Sequence, residues 1–191
     1  TIPDRLSAVS YRRDMREACL HDEQKRKEDK TMEFLPNPKQ MEYHTGHFLP
    51  GSQTKIVLCG TEPGAFLYAQ MLQKELKEEA GLSLDILRAL CPAESGDIVL
   101  CLDQKLEKDH YQLAIEEDKI SLVAGSDEAL CNGVQTLCQV IQLHGAVLPC
   151  LSITDWPDLQ HRGYYMDCSR GRVPKLSYLK EVADVLCRSK V

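Results

Sequence analysis

Apolar positions along this chain repeat with two periods, and the switches between them mark out the elements. Lys55-Ile56-Val57-Leu58-Cys59 is a short apolar run closed by Gly60, the pattern of a buried strand. From Gly64 to Ala80 the spacing becomes helical. Ala65, Leu67, Tyr68, Met71, Leu72 and Leu76 share a face, with Pro63 near the start and Gly81 at the stop. Residues 84–87, 97–102, 111–115 and 120–124 read as further strands. Ser126 offers a hydroxyl cap to a second helix. Asp127 and Glu128 suit the positive end of its dipole, and Leu130, Val134, Leu137, Val140 and Ile141 turn inward before Gly145 ends it. Upstream, Phe34-Leu35-Pro36-Asn37-Pro38 is a proline-stiffened lead-in, followed by short strands at 41–43 and 48–49 around a turn at Thr45-Gly46. Strands interleaved with helices predict a compact α/β unit over 34–148, a mixed sheet with two amphipathic helices.

The flanks differ. Charges of both signs crowd residues 11–31, so 1–33 reads as a solvated helix or arm, with a docking arm as the sharper reading. Residues 149–160 read as a connector, His161–Asp167 as a strand, 168–174 as a loop and Leu176–Cys187 as a helix. Leu179, Val182, Ala183 and Leu186 of that helix share a face. One strand, one loop and one helix cannot bury their own apolar sides. Residues 161–191 are therefore expected to be the first β-loop-α unit of a larger repeat, cut off at Val191. An uncovered stripe on the helix predicts self-association or disorder of the last 30 or so residues.

Composition narrows the classes. Of 191 residues, 43% are hydrophobic, enough for a core. Lys and Arg number 23 against 29 Asp and Glu, and a net charge of −6 argues against a nucleic-acid partner. No apolar run approaches the ~18 residues of a membrane span. The start, Thr1-Ile2-Pro3-Asp4-Arg5, lacks the apolar core of a secretory signal, although a trimmed chain reads the same. The nine cysteines are odd in number, and none stands in a Cys-x-x-Cys pair. Several lie inside apolar runs, so the expectation is free thiols in the cytoplasm or another reducing compartment; a secreted chain with some bridges is the alternative.

Candidate chemistry is sparse. Gly60-Thr61-Glu62-Pro63-Gly64 sits where phosphate loops occur, but it matches neither dinucleotide nor Walker spacing, and a tight strand-to-helix turn explains it. His44 and His47 flank a turn without a carboxylate to complete a metal site. Glu78-Glu79, Glu116-Glu117 and Asp127-Glu128 stand at element ends and read as solvated. No metal and no cofactor are expected. The stretch 161–174 is richer: Arg162 starts the expected strand, Asp167 ends it, and Ser169-Arg170 follow. An arginine fork can clamp neighbouring sugar hydroxyls. A structural strand with an Asp167–Arg170 salt bridge explains the same residues, and spacing leaves both readings open.

Thr154-Asp155-Trp156-Pro157-Asp158, then His161-Arg162-Gly163 and Asp167-Cys168-Ser169-Arg170, resembles the start of the catalytic barrel of glycoside hydrolase family 20, the β-N-acetylhexosaminidases. Leu35-Pro36-Asn37-Pro38 resembles the opening of that family's N-terminal α/β domain, and Gly133 through Leu137 is close to its G-x-x-T-L pattern. The resemblance spans about residues 34–191 and implies a retaining exo-hydrolase of terminal GlcNAc or GalNAc. There the substrate's acetamido oxygen is the nucleophile, and an Asp-Glu pair on a later barrel strand orients it and supplies the acid. It implies that Arg162 binds the hydroxyls at carbons 3 and 4, that Asp167 and Arg170 are structural, and that no catalytic residue lies in these 191. The chain by itself is then expected to be inactive. Gly171 stands where many members carry a bulkier residue, whereas Asp-Cys-Ser-Arg fits this family better than the related O-linked N-acetylglucosaminidases. The alternative from another class is a non-enzymatic α/β scaffold or interaction module. Nucleotide binding at Gly60–Gly64 is a third.

Overall fold

The computed structural model describes residues 34–60, 63–89, 95–169, 171 and 173–191. The arm expected at 1–33 lies outside them. Seven strands form one sheet: β1 (Gln40–Phe48), β2 (Lys55–Cys59), β3 (Asp85–Ala89), β4 (Ile98–Leu102), β5 (Tyr111–Ile115), β6 (Ile120–Ala124) and β7 (Leu148–Asp155). Their order is β1-β7-β5-β6-β4-β2-β3. β3, β2, β4 and β6 run parallel, while β5, β7 and β1 join antiparallel, so the sheet is mixed and the α/β class holds. The helices are α1 (Pro63–Ala80), α2 (Asp127–His144) and α3 (Leu176–Arg188).

α1 and α2 pack on each other and on one face of the sheet. Alternation along the strands explains which face. Ile56 and Leu58, Ile98 and Leu100, Leu113 and Ile115, and Ile120 and Leu122 point to the helices and are buried. Leu72 and Leu76 of α1 and Val134, Leu137 and Ile141 of α2 meet them, all fully buried. α2 starts and stops as its sequence dictates. The Ser126 side chain accepts from Ala129 N at 3.2 Å, and Gly145, at φ 66°, caps the end by donating to Ile141 O. Gly133 lets α2 approach the sheet so closely that a Cβ would collide with Leu122 and press on Tyr111.

Three expectations are corrected. The strands expected at 41–43 and 48–49 are one nine-residue strand, β1, bent by a register shift between Tyr43 and His47, with Gly46 at φ 104° absorbing the bend. The connector expected at 149–160 instead holds β7, which pairs with both β1 and β5. Pro149 faces only β1, outside the β5 ladder, where its missing N–H is tolerated. The expected strand His161–Asp167 has no ladder bonds and no regular secondary structure. A strand needs a neighbour's free edge, and no described segment offers this one.

Helix α3 buries none of its own residues; Leu176, Tyr178 and Val185 are exposed. Three contacts tie its C-terminal end down. Gln135 donates to Cys187 Sγ at 3.3 Å, Gln139 donates to Arg188 O at 3.2 Å, and Lys190 reaches into the sheet.

Candidate functional site

β7 alternates Leu151, Ile153 and Asp155 toward the core, so a carboxylate occupies an inward position. A buried charge requires a partner. Asp155 is 5% exposed, and it faces Tyr111 across the β5/β7 ladder. Its Oδ2 accepts from Tyr111 OH at 2.7 Å and from Lys190 Nζ at 3.0 Å, and its Oδ1 accepts from Lys39 N at 3.1 Å. Lys190 Nζ also donates to Tyr111 OH at 2.9 Å, and Thr136 Oγ1 lies 2.6 Å from the same oxygen.

Burial alone would raise the Asp155 carboxyl, but the Tyr111 hydrogen bond and the Lys190 ammonium outweigh it and hold it below the ordinary carboxylate value. Burial holds Lys190 below the ordinary lysine value, with Asp155 pulling the other way. Tyr111 is pushed up by burial and then by the Asp155 charge, so its phenol stays protonated.

Lys190 arrives through the end of α3. Lys190 N donates to Cys187 O at 3.0 Å and Val191 N to Leu186 O at 2.9 Å, the crossed pair of a Schellman cap. The cap puts its left-handed residue at Lys190, φ 58°, a position glycine usually fills. The left-handed backbone costs about 1–2 kcal/mol for a residue with a Cβ. Here the side chain is 6% exposed and ends on a buried carboxylate, an interaction glycine cannot make.

Arg162 closes the arrangement. Its Nε donates to Lys190 O and its Nη1 to Leu159 O, both at 2.7 Å. Two carbonyls thus hold the planar guanidinium beside a groove of about 680 Å³ that His161, Lys190 and Cys187 also line. A smaller cavity of about 240 Å³ lies between Arg162, Trp156 and Asn37. Trp156 is braced by His110, stacked at 4.7 Å between ring centroids.

Of the residues singled out from sequence, Arg162 therefore faces a groove with its donor edge fixed. Asp167 accepts from Ser169 N at 2.8 Å and Ser169 Oγ at 2.6 Å, which holds the bend that follows. Arg170 lies outside the described residues. At the Gly60–Gly64 turn, Thr61 and Glu62 also lie outside them, and the Asp127 carboxylate packs against Gly64, a charge that repels phosphate. His44 Nε2 pairs with Ser152 Oγ at 3.0 Å. Among the described residues no three His, Cys, Asp or Glu groups converge as metal ligands, and no helix is long and apolar enough to cross a membrane.

The arrangement offers one cationic fork for hydroxyl or carboxylate oxygens. Asp155 is engaged by three donors, and the Tyr111 phenol is buried among Asp155, Thr136 and Lys190, so these groups serve to hold the chain together at this point. Sequence reading missed Tyr111, Thr136 and Lys190. The available signal was Asp155 itself, an acid in register with Leu151 and Ile153.

Comparison with known proteins agrees with the fold. The family described as glycosyl hydrolase family 20, domain 2, matches residues 31–156. A β-hexosaminidase of Vibrio furnissii is 28% identical over 164 residues, 84% of this chain and 25% of that protein. Among solved structures, the exo β-N-acetylglucosaminidase of Vibrio harveyi in complex with N-acetylglucosamine superposes with a TM-score of 0.68 at 24% identity, over 83% of this chain and 24% of that one. The β-N-acetylhexosaminidase of Streptomyces coelicolor A3(2) gives 0.69 at 20% identity, over 82% and 33%. The chain thus spans a quarter to a third of the length of these relatives.

Proposed function

Because the chain belongs to glycosyl hydrolase family 20, we propose that it is the N-terminal portion of a retaining exo-β-N-acetylhexosaminidase that removes terminal GlcNAc or GalNAc. Residues 34–155 are a packing partner of the catalytic barrel, and 161–191 supply the barrel's first strand and helix once neighbouring strands exist to pair with. Hydrolysis uses the substrate's acetamido oxygen as nucleophile, and an Asp-Glu pair on a later strand orients it and gives the proton. The chain of 191 residues alone is inactive, because hydrolysis depends on that pair and the pair belongs to the later strand.

The observation that supports this reading is the guanidinium of Arg162. Carbonyls of Leu159 and Lys190 hold it from behind, and it borders the groove. A fork fixed in this way is preorganised for two vicinal hydroxyls, those at carbons 3 and 4 of a terminal sugar.

Arg162→Ala in the protein carrying a complete barrel tests the role. Losing charge-assisted hydrogen bonds worth about 1.5–3 kcal/mol predicts a kcat/KM about 10- to 100-fold lower on a chromogenic N-acetyl-β-glucosaminide. Arg162→Lys, which loses the paired geometry, falls in the same direction. Unchanged kcat/KM in both variants would remove Arg162 from the substrate site.

A further inference from the structure

On the face of the sheet opposite α1 and α2, we infer that Cys59 and Cys101 are a modification site, a cross-strand dithiol that small-molecule disulfides convert to a readily reversible disulfide. β2 and β4 are parallel neighbours, and the register sets Cys59 directly beside Cys101. Ile56 and Leu58 on β2 and Ile98 and Leu100 on β4 point to the helices, so alternation turns both cysteines to the other face together. Both thiols are free and partly exposed. Neighbouring strands lie about 4.8 Å apart, inside the roughly 4.4–6.8 Å Cα range of disulfides.

The same register explains why the bond is labile. In a parallel pair the two side chains project side by side, and their Cβ atoms keep nearly the strand separation. A relaxed bridge wants about 3.5–4.5 Å. Closing it draws the strands together locally, and a strained, accessible disulfide is the kind that thiols reduce easily. The Cys101 thiol is raised by burial first and then by the adjacent Cys59, which also hydrogen-bonds it. Either thiol can attack first, and the other then resolves the mixed disulfide.

The exchange balances with oxidised glutathione as the oxidant. Where Cys59 attacks first, it loses its proton to solvent, attacks one glutathione sulfur and expels a glutathione thiolate. Cys101 then loses its proton, attacks the Cys59 sulfur and expels the second. Two protein thiols are oxidised, and one glutathione disulfide is reduced to two thiols.

A rival pair exists. Cys131 on α2 and Cys187 on α3 are within hydrogen-bonding reach of each other. Burial, then Cys187, pushes the Cys131 thiol up to about 12, and this pair lies between two helices, away from the β2/β4 ladder. The dilute native chain, incubated with oxidised glutathione, alkylated and digested without reduction, separates the two by peptide mass. The expected product is a joined peptide pair carrying Cys59 and Cys101, two hydrogens lighter, with no glutathione attached. It disappears on adding excess reduced glutathione and is absent from Cys59→Ser. Glutathione retained on Cys59 or Cys101 without a joined peptide would overturn the inference. So would cross-linking confined to Cys131 and Cys187, or any other pairing that leaves Cys59 and Cys101 apart.

Discussion

Replacing Lys190 with methionine removes the cation from the Asp155 carboxylate and keeps a stem of similar volume, so packing changes little. In the native chain that cation is 3.0 Å from Asp155 Oδ2 and 2.9 Å from Tyr111 OH, and both acid and base are nearly fully buried. Removing one partner of such a pair costs about 3–5 kcal/mol, because the remaining charge is left in a poor solvent. Asp155 keeps the Tyr111 hydroxyl and the Lys39 amide, so the low end, about 3 kcal/mol, applies. At this size 1 kcal/mol moves the melting temperature by about 2–4 °C, which predicts a fall of about 6–12 °C. Urea unfolding followed by far-UV circular dichroism reads the same loss as a lower midpoint at constant slope. The double variant Lys190→Met/Asp155→Leu removes both charges and recovers part of the loss, since an apolar replacement of a whole pair is often close to neutral. A single variant within about 0.5 kcal/mol of the parent behaves like a surface substitution and would refute the buried pair. Losses that simply add in the double variant would refute the coupling.

Three further outcomes follow from the same contacts. The Asp155 carboxyl is held below its unfolded value of about 3.9, so its stabilisation is complete above that value and is lost as pH falls through the folded one. Urea midpoints between pH 6 and 3 should therefore fall more steeply for the parent than for Asp155→Asn, and parallel curves would contradict the assignment. Gly125→Ala drives a Cβ into the backbone carbonyl of Glu107 and should cost more than about 2 kcal/mol in chemical denaturation, whereas a neutral result would deny the close approach. The chain should self-associate through α3, and Tyr178→Glu with Val185→Glu, two turns apart on one side of the helix, should return it to monomer in sedimentation velocity; a parent that stays monomeric at high concentration would count against an adhesive face.

The parts of the fold that could be read from sequence were those in which one local rule decides the element. β5 and β6 alternate cleanly, and α2 carries its cap, its acidic first turn and its terminal glycine in order. β7 was hidden because Pro149, its second residue, and Pro157, just past its end, look like loop punctuation. Only its place between β1 and β5 explains why Pro149 is harmless. β1 looked like two strands because its bend absorbs Thr45 and Gly46 without breaking the ladder for good. At the site, Arg162 stood out through its motif. Lys190 did not, because an exposed helix end with Arg188-Ser189-Lys190 looks solvated until the Schellman turn aims the last lysine inward. Pairings between residues 35 and 79 positions apart, as for Asp155 and Tyr111 with Lys190, leave no local trace in a single sequence.

The measurement closest to the central claim is hydrolysis of 4-nitrophenyl N-acetyl-β-D-glucosaminide, compared between the 191-residue chain and the product of the reading frame continued past Val191. The account predicts no turnover by the shorter protein at any pH. It predicts turnover by the longer one, with retention of configuration at the anomeric carbon. Turnover by the 191 residues alone, or a continued frame that encodes no barrel and hydrolyses nothing, would contradict it.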